Sequence, residues 1–285
     1  MLETFGIKDE YLFKVAVIAT MSSGKSTFIN ALVGKDLLLS RNEACSARVI
    51  SILDNDQNKE EKVYVEYADG SFEKGRDLTQ EYMEVINSDE RIDKVLIETH
   101  IDGIKNTDRA MVIIDTPGVN NSMDNSHREK TMELIHRLDE GLIIYLLNAT
   151  QLGVEDDQSF LLEIAELVNE SNDQLKIMFA INKIDEVDEE KESIAQVMEN
   201  AHAYLVNAGI KNPQIYPVSS LACKLFRRGI NEESFSRKEM SDFRRFYNTF
   251  APRGFDPSRY IVADEYDQRN KKVTVGKEEF LCRDL

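Results

Sequence analysis

The sequence predicts a three-layer α/β domain whose central sheet is mostly parallel. Short apolar runs such as "FKVAVIAT", "AMVIID", "GLIIYLLNA" and "QLKIMFAIN" are typical of buried strands, and amphipathic runs typical of helices lie between them. Strands that alternate with helices favour right-handed crossovers and a sheet covered by helices on both faces. An insertion from about Asp54 to Lys105 adds strands that interrupt this alternation. We expect those strands to extend the sheet at one edge.

The remaining elements follow from the same two patterns, taken in chain order. The helix "KSTFINALVG" follows the first strand, and "ARVISIL" and "KVYVEYADGSFE" are typical of strands, the second with an Asp-Gly turn. The run "LTQEYMEVINS" predicts a helix and "DKVLIETHI" a strand. Later helices are predicted at "SHREKTMELIHRLDE", "DDQSFLLEIAELVNES" and "EEKESIAQVMENAHAYLVNAG", and a last strand at "PQIYPVSS".

The patterns weaken toward the C-terminus, which predicts a domain boundary. After Ser220 the run "CKLFRRGINEESFSRKEMSDFRRFY" is helical but highly charged, and the residues from Ala251 onward show little periodicity. We expect residues 1–225 to form the main domain. Residues 226–285 are expected to be a helical or irregular extension that packs on this domain or leads to a stalk absent from the sequence.

Charge and hydropathy exclude several classes of protein. The chain has 285 residues and a net charge of −17, so nucleic acid is not expected as a partner. We interpret the pairs Arg227/Arg228 and Arg244/Arg245 as solvated helix faces. No apolar run reaches the roughly 18 residues of a membrane span, and the N-terminus does not resemble a signal peptide.

The cysteines and histidines form no sequence pattern that carries chemistry. Cys45, Cys223 and Cys282 are far apart, and no histidine lies at metal-ligand spacing from them. This arrangement predicts reduced thiols in a cytoplasmic protein. The four histidines match no catalytic pattern, so surface or structural roles are expected for them.

The first motif is "ATMSSGKST", which lies between a predicted strand and a predicted helix. It matches the phosphate-binding pattern G-x-x-x-x-G-K-[ST] except that Ala19 stands at the first glycine. Gly24 would let the backbone approach phosphates, Lys25 would reach the β- and γ-phosphates, and the Ser26 hydroxyl would bind Mg²⁺. The competing interpretation is a chance Gly-Lys-Ser before a helix.

The second motif is "VIIDTPG", at the end of another buried strand. The carboxylate of Asp115 is expected at the carboxyl edge of the sheet, where it can hold Mg²⁺ through a water molecule. The Gly118 N–H can meet the γ-phosphate. An ordinary Asp-Thr-Pro-Gly turn fits the local sequence equally well, but it does not explain why the motif follows the first one at this position.

The third motif, "FAINKID", determines the choice of base. The carboxylate of Asp185 can accept two hydrogen bonds from guanine, whereas adenine has no such donor pair and would leave the carboxylate unpaired. Asn182 belongs to the same motif, and the aliphatic stem of Lys183 can cover the base. The later "PVSS" adds Ser219 and Ser220 near the base. GTP is therefore favoured over ATP.

The order "SSGKST", "DTPG", "NKID" is that of the P-loop GTPases, and finer features resemble the bacterial dynamin-like GTPases. Those features are the double serine in the loop, "SRNEACSARV", and "DTPGVNNSMDNSH" leading through "IIYLLNATQLGVEDDQSFL". The resemblance covers roughly residues 10–225. It implies a P-loop GTPase domain that binds GTP and GDP through Ser22, Ser23, Gly24, Lys25, Ser26, Thr27, Gly118, Asn182, Lys183, Asp185, Ser219 and Ser220.

The resemblance also implies partners and a location. Domains of this kind dimerise across their nucleotide sites and are normally attached to a helical stalk that contacts membrane. We therefore expect a homodimer, and a cytoplasmic protein that is peripheral at a membrane when full-length. Membrane contact is expected only through segments absent from this sequence.

The resemblance assigns catalytic and metal roles to a few further residues. Ser46 takes the place of the switch threonine, so Ser26, Ser46 and Asp115 are the implied Mg²⁺ ligands. Lys25, Ser46 and Ser22 are the implied catalytic residues, with Ser22 helping to bind K⁺ or Na⁺.

Two residues depart from the patterns of related GTPases, and one arginine has two possible roles. Met21 stands where animal dynamins have a water-positioning glutamine, and Val119 follows the "DTPG" motif where Ras-like enzymes have a glutamine. Both departures put the catalytic arrangement in question. For Arg48 a structural role is favoured over that of an arginine finger.

The predicted function is that of a GTP-binding and GTP-hydrolysing domain, which drives nucleotide-dependent dimerisation and membrane-associated remodelling. Two alternatives remain open. One is a GTP-binding switch or scaffold with negligible hydrolysis. The other is an ATP-driven P-loop enzyme, which "NKID" disfavours.

Overall fold

Nine strands pair into one sheet in the computed structural model of the protein. The structure describes residues 2–19, 22–39, 48–57, 60–104, 106, 108–118, 125–153, 158–171, 174–188, 192–231, 233–250, 257–262, 272–275 and 278–281. The strands are β1 (Leu12–Ala19), β2 (Val49–Asp54), β3 (Lys62–Tyr67), β4 (Phe72–Asp77), β5 (Ile92–Thr99), β6 (Ala110–Asp115), β7 (Gly141–Asn148), β8 (Leu175–Asn182) and β9 (Ile215–Val218). The helices are α1 (Lys25–Val33), α2 (Gln80–Ser88), α3 (Asn125–His136), α4 (Gln158–Glu170), α5 (Ile194–Asn207), α6 (Ser220–Ile230) and α7 (Arg237–Phe250).

The strand order is β4-β3-β5-β2-β6-β1-β7-β8-β9. The β6–β1, β1–β7, β7–β8, β8–β9 and β2–β5 pairs are parallel. The β2–β6, β3–β5 and β3–β4 pairs are antiparallel. The prediction of a mostly parallel sheet is confirmed, and the strands of the insertion, β3 to β5, extend it beyond β2 at one edge.

Helices cover both faces of the sheet, which explains the continuous apolar runs of the central strands. On one face, side chains of β1, β7 and β8 pack with α3, α4 and α5, as Ile18 does with Phe160 in one buried cluster. On the other face, Val17 belongs to a cluster with Ile29 of α1 and Ile86 of α2. The three-layer architecture predicted from the sequence is therefore confirmed.

Side-chain caps set the start of several helices. The hydroxyl of Thr79 accepts a hydrogen bond from the Tyr82 N–H and so begins α2. Ser193 accepts one from the Gln196 N–H, and α5 begins directly after it. The helix predicted at "EEKESIAQVMENAHAYLVNAG" starts earlier, but its first three residues, 189–191, lie outside the described residues, and among the described ones the helix begins at Ile194.

The predicted charged helical run after Ser220 forms two helices, α6 and α7, which pack on each other around Phe246. The domain boundary expected near residue 225 falls within α6 and remains a prediction. A separate antiparallel pair, β10 (Lys272–Val275) and β11 (Glu278–Leu281), follows. Among the described helices, none has the length and apolar character needed to cross a membrane.

Candidate nucleotide site

The phosphate loop lies between the end of β1 and the start of α1. Ser22 and Gly24 both have positive φ, at 60° and 84°, and the Phe28 N–H donates to the Gly24 carbonyl at 2.9 Å to close the first helical turn. Ala19 is the last residue of β1 and is 1% exposed. Because an extended strand residue does not need glycine, the methyl group of Ala19 fits where the pattern has its first glycine.

Lys25 and Asp115 meet beside this loop. The β1 and β6 strands are parallel neighbours, with Val17 opposite Asp115, so the carboxyl end of β6 lies beside the strand that enters the loop. The Lys25 ammonium group pairs with the Asp115 carboxylate, and their side chains are 15% and 12% exposed. Ser26 is in the first turn of the same helix. The lysine, hydroxyl and carboxylate expected from the first two motifs are therefore brought together at one edge of the sheet.

Asn182 connects this loop to the third motif. It ends β8, and its side-chain amide donates to the Ser23 carbonyl at 2.7 Å. Its Oδ1 accepts hydrogen bonds from the N–H and the hydroxyl of Ser220, at 3.0 and 2.7 Å. All three residues are buried. A Cβ atom at Gly24 would lie 2.9 Å from the Asn182 Nδ2 atom, so glycine is required there on steric grounds as well.

Asp185 and Ser219 form the neighbouring part of the site. The Ser219 hydroxyl donates to the Asp185 carboxylate, and its oxygen also accepts from the Ala222 N–H at 3.3 Å, which begins α6. Lys183 has φ of 67°, and its ammonium group lies 3.5 Å from a carboxylate oxygen of Glu186. The strand end, the short turn after it and the start of α6 thus hold the residues that the sequence assigned to the base.

For some residues that the sequence assigned to the site, the structure gives only a position or an exposure. Others lie outside the described residues. Ser22 is exposed in the loop, Thr27 is partly buried in α1, and Gly118 follows Asp115 on the loop after β6. Ser46, Met21 and Val119 lie outside the described residues. The roles assigned to all these residues remain predictions.

Two buried polar residues that the sequence analysis did not single out also shape the site. The Thr116 hydroxyl donates to the Val17 carbonyl at 2.9 Å and ties the "DTPG" loop to β1. The Asn30 carboxamide donates to the Leu38 carbonyl and accepts from the N–H groups of Leu37 and Leu38, which holds the chain after α1. A polar residue on the buried side of α1 was the signal that could have revealed Asn30.

The interpretation of Arg227 and Arg228 as a solvated face is wrong. The Arg227 guanidinium donates from Nη1 to the carbonyls of Ala31 and Leu32, at 2.7 and 2.8 Å, near the C-terminus of α1. The Arg228 side chain is 14% exposed and pairs with glutamates. Arg227 binds backbone carbonyls, and Arg228 pairs with glutamates that lie outside α6. The periodicity of the helix therefore gave no indication of these contacts.

Arg48 has a structural contact, as the sequence analysis favoured. Its side chain is buried, and its Nη2 donates to the Asp89 carbonyl at 3.0 Å. This bond links the start of β2 to the chain that enters β5.

Known proteins resemble this chain at the level of family and fold. The model of the dynamin family matches residues 15–185. Dynamin-like protein A of Bacillus subtilis (strain 168) is 25% identical over 213 residues, which cover 73% of this chain and 16% of that protein.

Two solved structures also match, and both are described as an oligomerised bacterial dynamin pair that provides a mechanism for long-range sensing and tethering of membranes. They are 19% and 18% identical to this chain, with TM-scores of 0.55 and 0.54. The matches cover 88% and 87% of this chain and 39% of each of theirs.

This chain therefore spans less than half of the length of these relatives. At 18–19% identity the solved structures show a shared fold. The family model spans more than half of the chain and includes all three nucleotide motifs. The chain belongs to the dynamin family, and its nine-stranded sheet with the flanking helices shares the fold of the bacterial dynamin structures.

Proposed function

We propose that this domain binds GTP and hydrolyses it to GDP and phosphate. The observation that carries the proposal is the buried hydrogen-bond link of Asn182 to both Ser23 and Ser220. This link makes the phosphate loop and the predicted base-recognition turn parts of one continuous surface at the carboxyl ends of the parallel strands. That edge is where α/β sheets bind nucleotides.

Phosphate binding would rest on the first turn of α1. The backbone N–H groups at a helix N-terminus and the helix dipole favour an anion, and the Lys25 ammonium group is part of this first turn. The hydroxyl of Ser26 and the carboxylate of Asp115 are hard oxygen donors of the kind that Mg²⁺ prefers, so the residues present fit this ion. When bound, Mg²⁺ would neutralise charge on the β- and γ-phosphate oxygens.

Hydrolysis would follow from positioning and charge stabilisation. A water molecule attacks the γ-phosphate in line with the leaving oxygen, and negative charge spreads over the phosphate oxygens in the transition state. Lys25 and the loop N–H groups stabilise this charge from fixed positions. Ser46 would meet Mg²⁺ and the γ-phosphate, as the family resemblance implies.

Guanine selectivity would come from Asp185. Its carboxylate accepts from guanine N1–H and N2–H₂, while the Ser219 hydroxyl holds the carboxylate in place through a hydrogen bond. The aliphatic part of Lys183 would cover the base. Adenine would leave the carboxylate unpaired and would bind more weakly.

We also propose that this domain dimerises across its nucleotide face and couples GTP turnover to membrane remodelling. Ser22, exposed in the loop, would help to bind K⁺ or Na⁺. We further propose that the protein is cytoplasmic and peripheral at a membrane.

One sequence observation favours a second candidate function, a GTP-binding switch with negligible turnover. The Val119 side chain can neither donate nor accept a hydrogen bond, and the Met21 thioether is only a weak acceptor, so neither replaces a glutamine amide beside the attacking water. A domain that binds GTP but positions water poorly would act as a switch or a scaffold.

Two measurements on the purified chain distinguish these functions. Competition of ATP, GTP and GDP against a fluorescent guanine nucleotide should show a strong preference for guanine, and Lys25→Ala should abolish tight binding. Phosphate release from GTP should then exceed the background of Lys25→Ala. Tight GTP binding without phosphate release would support the switch, whereas equal competition by ATP would refute the base assignment.

A further inference from the structure

Asp54, Asp56 and His100 meet at the edge of the sheet opposite to the nucleotide site. Asp54 ends β2 and pairs with Thr99, the last residue of β5, so the next residue, His100, lies beside it. The ligand-type atoms of these three side chains lie within 4.8 Å of one another. His100 is more than 40 residues from the two aspartates in sequence, so no local motif could have revealed the cluster.

The imidazole of His100 points one nitrogen into this cluster. Its Nδ1 atom is buried and has no hydrogen-bond partner. The same atom lies 3.7 Å from a carboxylate oxygen of Asp54 and 3.7 Å from one of Asp56. These separations are too long for hydrogen bonds but bring three potential ligands around one point. A buried nitrogen without a partner requires an explanation, and a bound cation supplies one.

The other ring nitrogen of His100 lies near a carboxylate, the kind of group that metal-binding histidines usually have as their outer partner. Its Nε2 atom lies 3.4 Å from the Asp102 carboxylate. Metal-ligating histidines commonly donate their second N–H to a carboxylate, which fixes the tautomer and leaves the first nitrogen free for the ion. The two nitrogens of His100 thus face different groups, in the arrangement expected of a ligand.

The carboxylates are held in fixed positions. The Asp54 side chain is fully buried, and its two oxygens accept from the Ile101 N–H at 2.8 Å and from the Asn106 amide at 3.1 Å. The Asn106 amide also donates to Asp56 at 3.1 Å. Two carboxylates that share one amide repel each other, and a cation between them would remove this repulsion.

We propose that Asp54, Asp56 and His100 form a structural site for a divalent transition-metal ion. One imidazole nitrogen and two carboxylate oxygens suit Zn²⁺ and Mn²⁺, whereas Mg²⁺ seldom takes histidine as a ligand. Zn²⁺ should bind more tightly than Mn²⁺, in the usual order for such ligands. Remaining coordination positions would be filled by water.

The ion would link the ends of the parallel strands β2 and β5 to the short segment from Asp54 to Asp56. The site is separate from the proposed GTP site. Ile50 pairs with Asp115 at the nucleotide edge, and Asp54 lies four residues further along β2, or about 13 Å at the usual strand rise. We therefore expect the ion to stabilise the insertion strands without taking part in nucleotide chemistry.

The test uses the whole chain without an affinity tag, freed of metal with a chelator and kept free of nucleotide. Calorimetric titration with Zn²⁺ should give one tight site per chain, Mn²⁺ should bind more weakly, and Mg²⁺ should not bind there. Saturating Zn²⁺ should raise the midpoint of thermal unfolding, because an ion that binds only the folded state stabilises it.

Three variants locate the ion. His100→Gln should abolish the tight site while its metal-free unfolding midpoint stays near that of the parent. Asp102→Asn should weaken Zn²⁺ affinity by about 10–100-fold, since it removes the outer partner of the histidine. His136→Gln, which changes an exposed histidine on α3, is the matched control and should leave Zn²⁺ binding unchanged.

If His100→Gln fails to fold, Asp56→Asn tests the same site through a partly exposed carboxylate. Zn²⁺ binding that survives both His100→Gln and Asp56→Asn would show that the ion sits elsewhere and would overturn the proposal. An unfolding midpoint that does not respond to Zn²⁺ would overturn it as well.

Discussion

The side-chain amide of Asn182 donates to the main-chain carbonyl of Ser23 across 2.7 Å. This bond joins the end of β8 to the phosphate loop, while the Asn182 oxygen accepts from Ser220 at the start of α6. One side chain therefore fixes the distance between the part of the site that would hold phosphates and the part that would hold the base.

Asn182→Ala should weaken both nucleotide binding and stability. The change leaves the buried Ser23 carbonyl and the two Ser220 donors without this partner, and unsatisfied groups of this kind cost about 1–3 kcal/mol. Denaturant unfolding should show the loss of stability, and titration with GTP the loss of affinity. GTP affinity equal to that of the parent would show that the link does not position the site.

Gly24→Ala should abolish tight GTP binding. The loss of GTP affinity should be larger than the loss of folding stability alone would cause. Gly24 has φ of +84°, and an added Cβ atom would meet the Asn182 amide at 2.9 Å. Gly70→Ala is the matched control, because Gly70 has φ of +80° with nothing within 4 Å of the added atom. Both variants bear the cost of positive φ, about 1–2 kcal/mol, but only Gly24→Ala displaces Asn182. Similar GTP affinity in the two variants would contradict this steric account.

The sequence was sufficient to predict most of the fold and the candidate site because the relevant signals are local. Each nucleotide motif directly follows a buried strand, and parallel strands bring their carboxyl ends to one edge. The positions of the first two motifs along the chain therefore predict that Lys25 and Asp115 lie near each other, and in the fold the two side chains are in contact.

Long-range contacts of single side chains could not be predicted in the same way. Arg227 binds backbone carbonyls of α1, which carry no residue-specific signal, and its helix looked solvated from periodicity alone. Asp54 meets His100 only because β2 pairs with β5 in one particular register. Neither relationship leaves a pattern in the linear sequence.

Arg227→Met should destabilise the contact between α6 and α1. Methionine keeps much of the aliphatic stem but removes the two hydrogen bonds to Ala31 and Leu32, and hydrogen bonds to charged groups contribute about 1.5–3 kcal/mol. Thermal and denaturant unfolding measure the loss. Arg245→Met, at a half-exposed position on α7, is the control and should change stability little. Equal effects of the two changes would show that Arg227 does not act through α1.

Asp185→Asn should shift nucleotide preference from GTP to xanthosine triphosphate. The new amide can donate to the xanthine oxygen that replaces the guanine amine, whereas it pairs poorly with guanine. A competition assay with both nucleotides gives the preference directly. Glu186→Gln, on the same short turn, should retain the preference for GTP. Unchanged selectivity in Asp185→Asn would refute the role proposed for this carboxylate.

Phosphate release per molecule should be slow in dilute protein and should rise as protein concentration rises. Val119 and Met21 lack the amide with which a glutamine orients the attacking water, so a single domain is expected to hold that water loosely. A second domain that docks over the nucleotide would order the segment around Ser46 and exclude solvent. Transition-state groups that a partner supplies to GTPases contribute about 10³–10⁵ in rate, so even partial completion by dimerisation should be measurable.

The measurement is specific activity across a wide range of protein concentration, in potassium salt and then in a salt of a bulky organic cation. Potassium should increase the rate if Ser22 helps to bind it, because a monovalent cation beside the phosphates would stabilise the same charge as an arginine finger. Ser22→Ala should then lose the potassium effect, and the assay is run at saturating GTP so that a change in GTP affinity does not affect the comparison. Specific activity that does not change with concentration in either salt would refute activation by dimerisation. That result would favour the second candidate function, a GTP-binding switch with negligible hydrolysis.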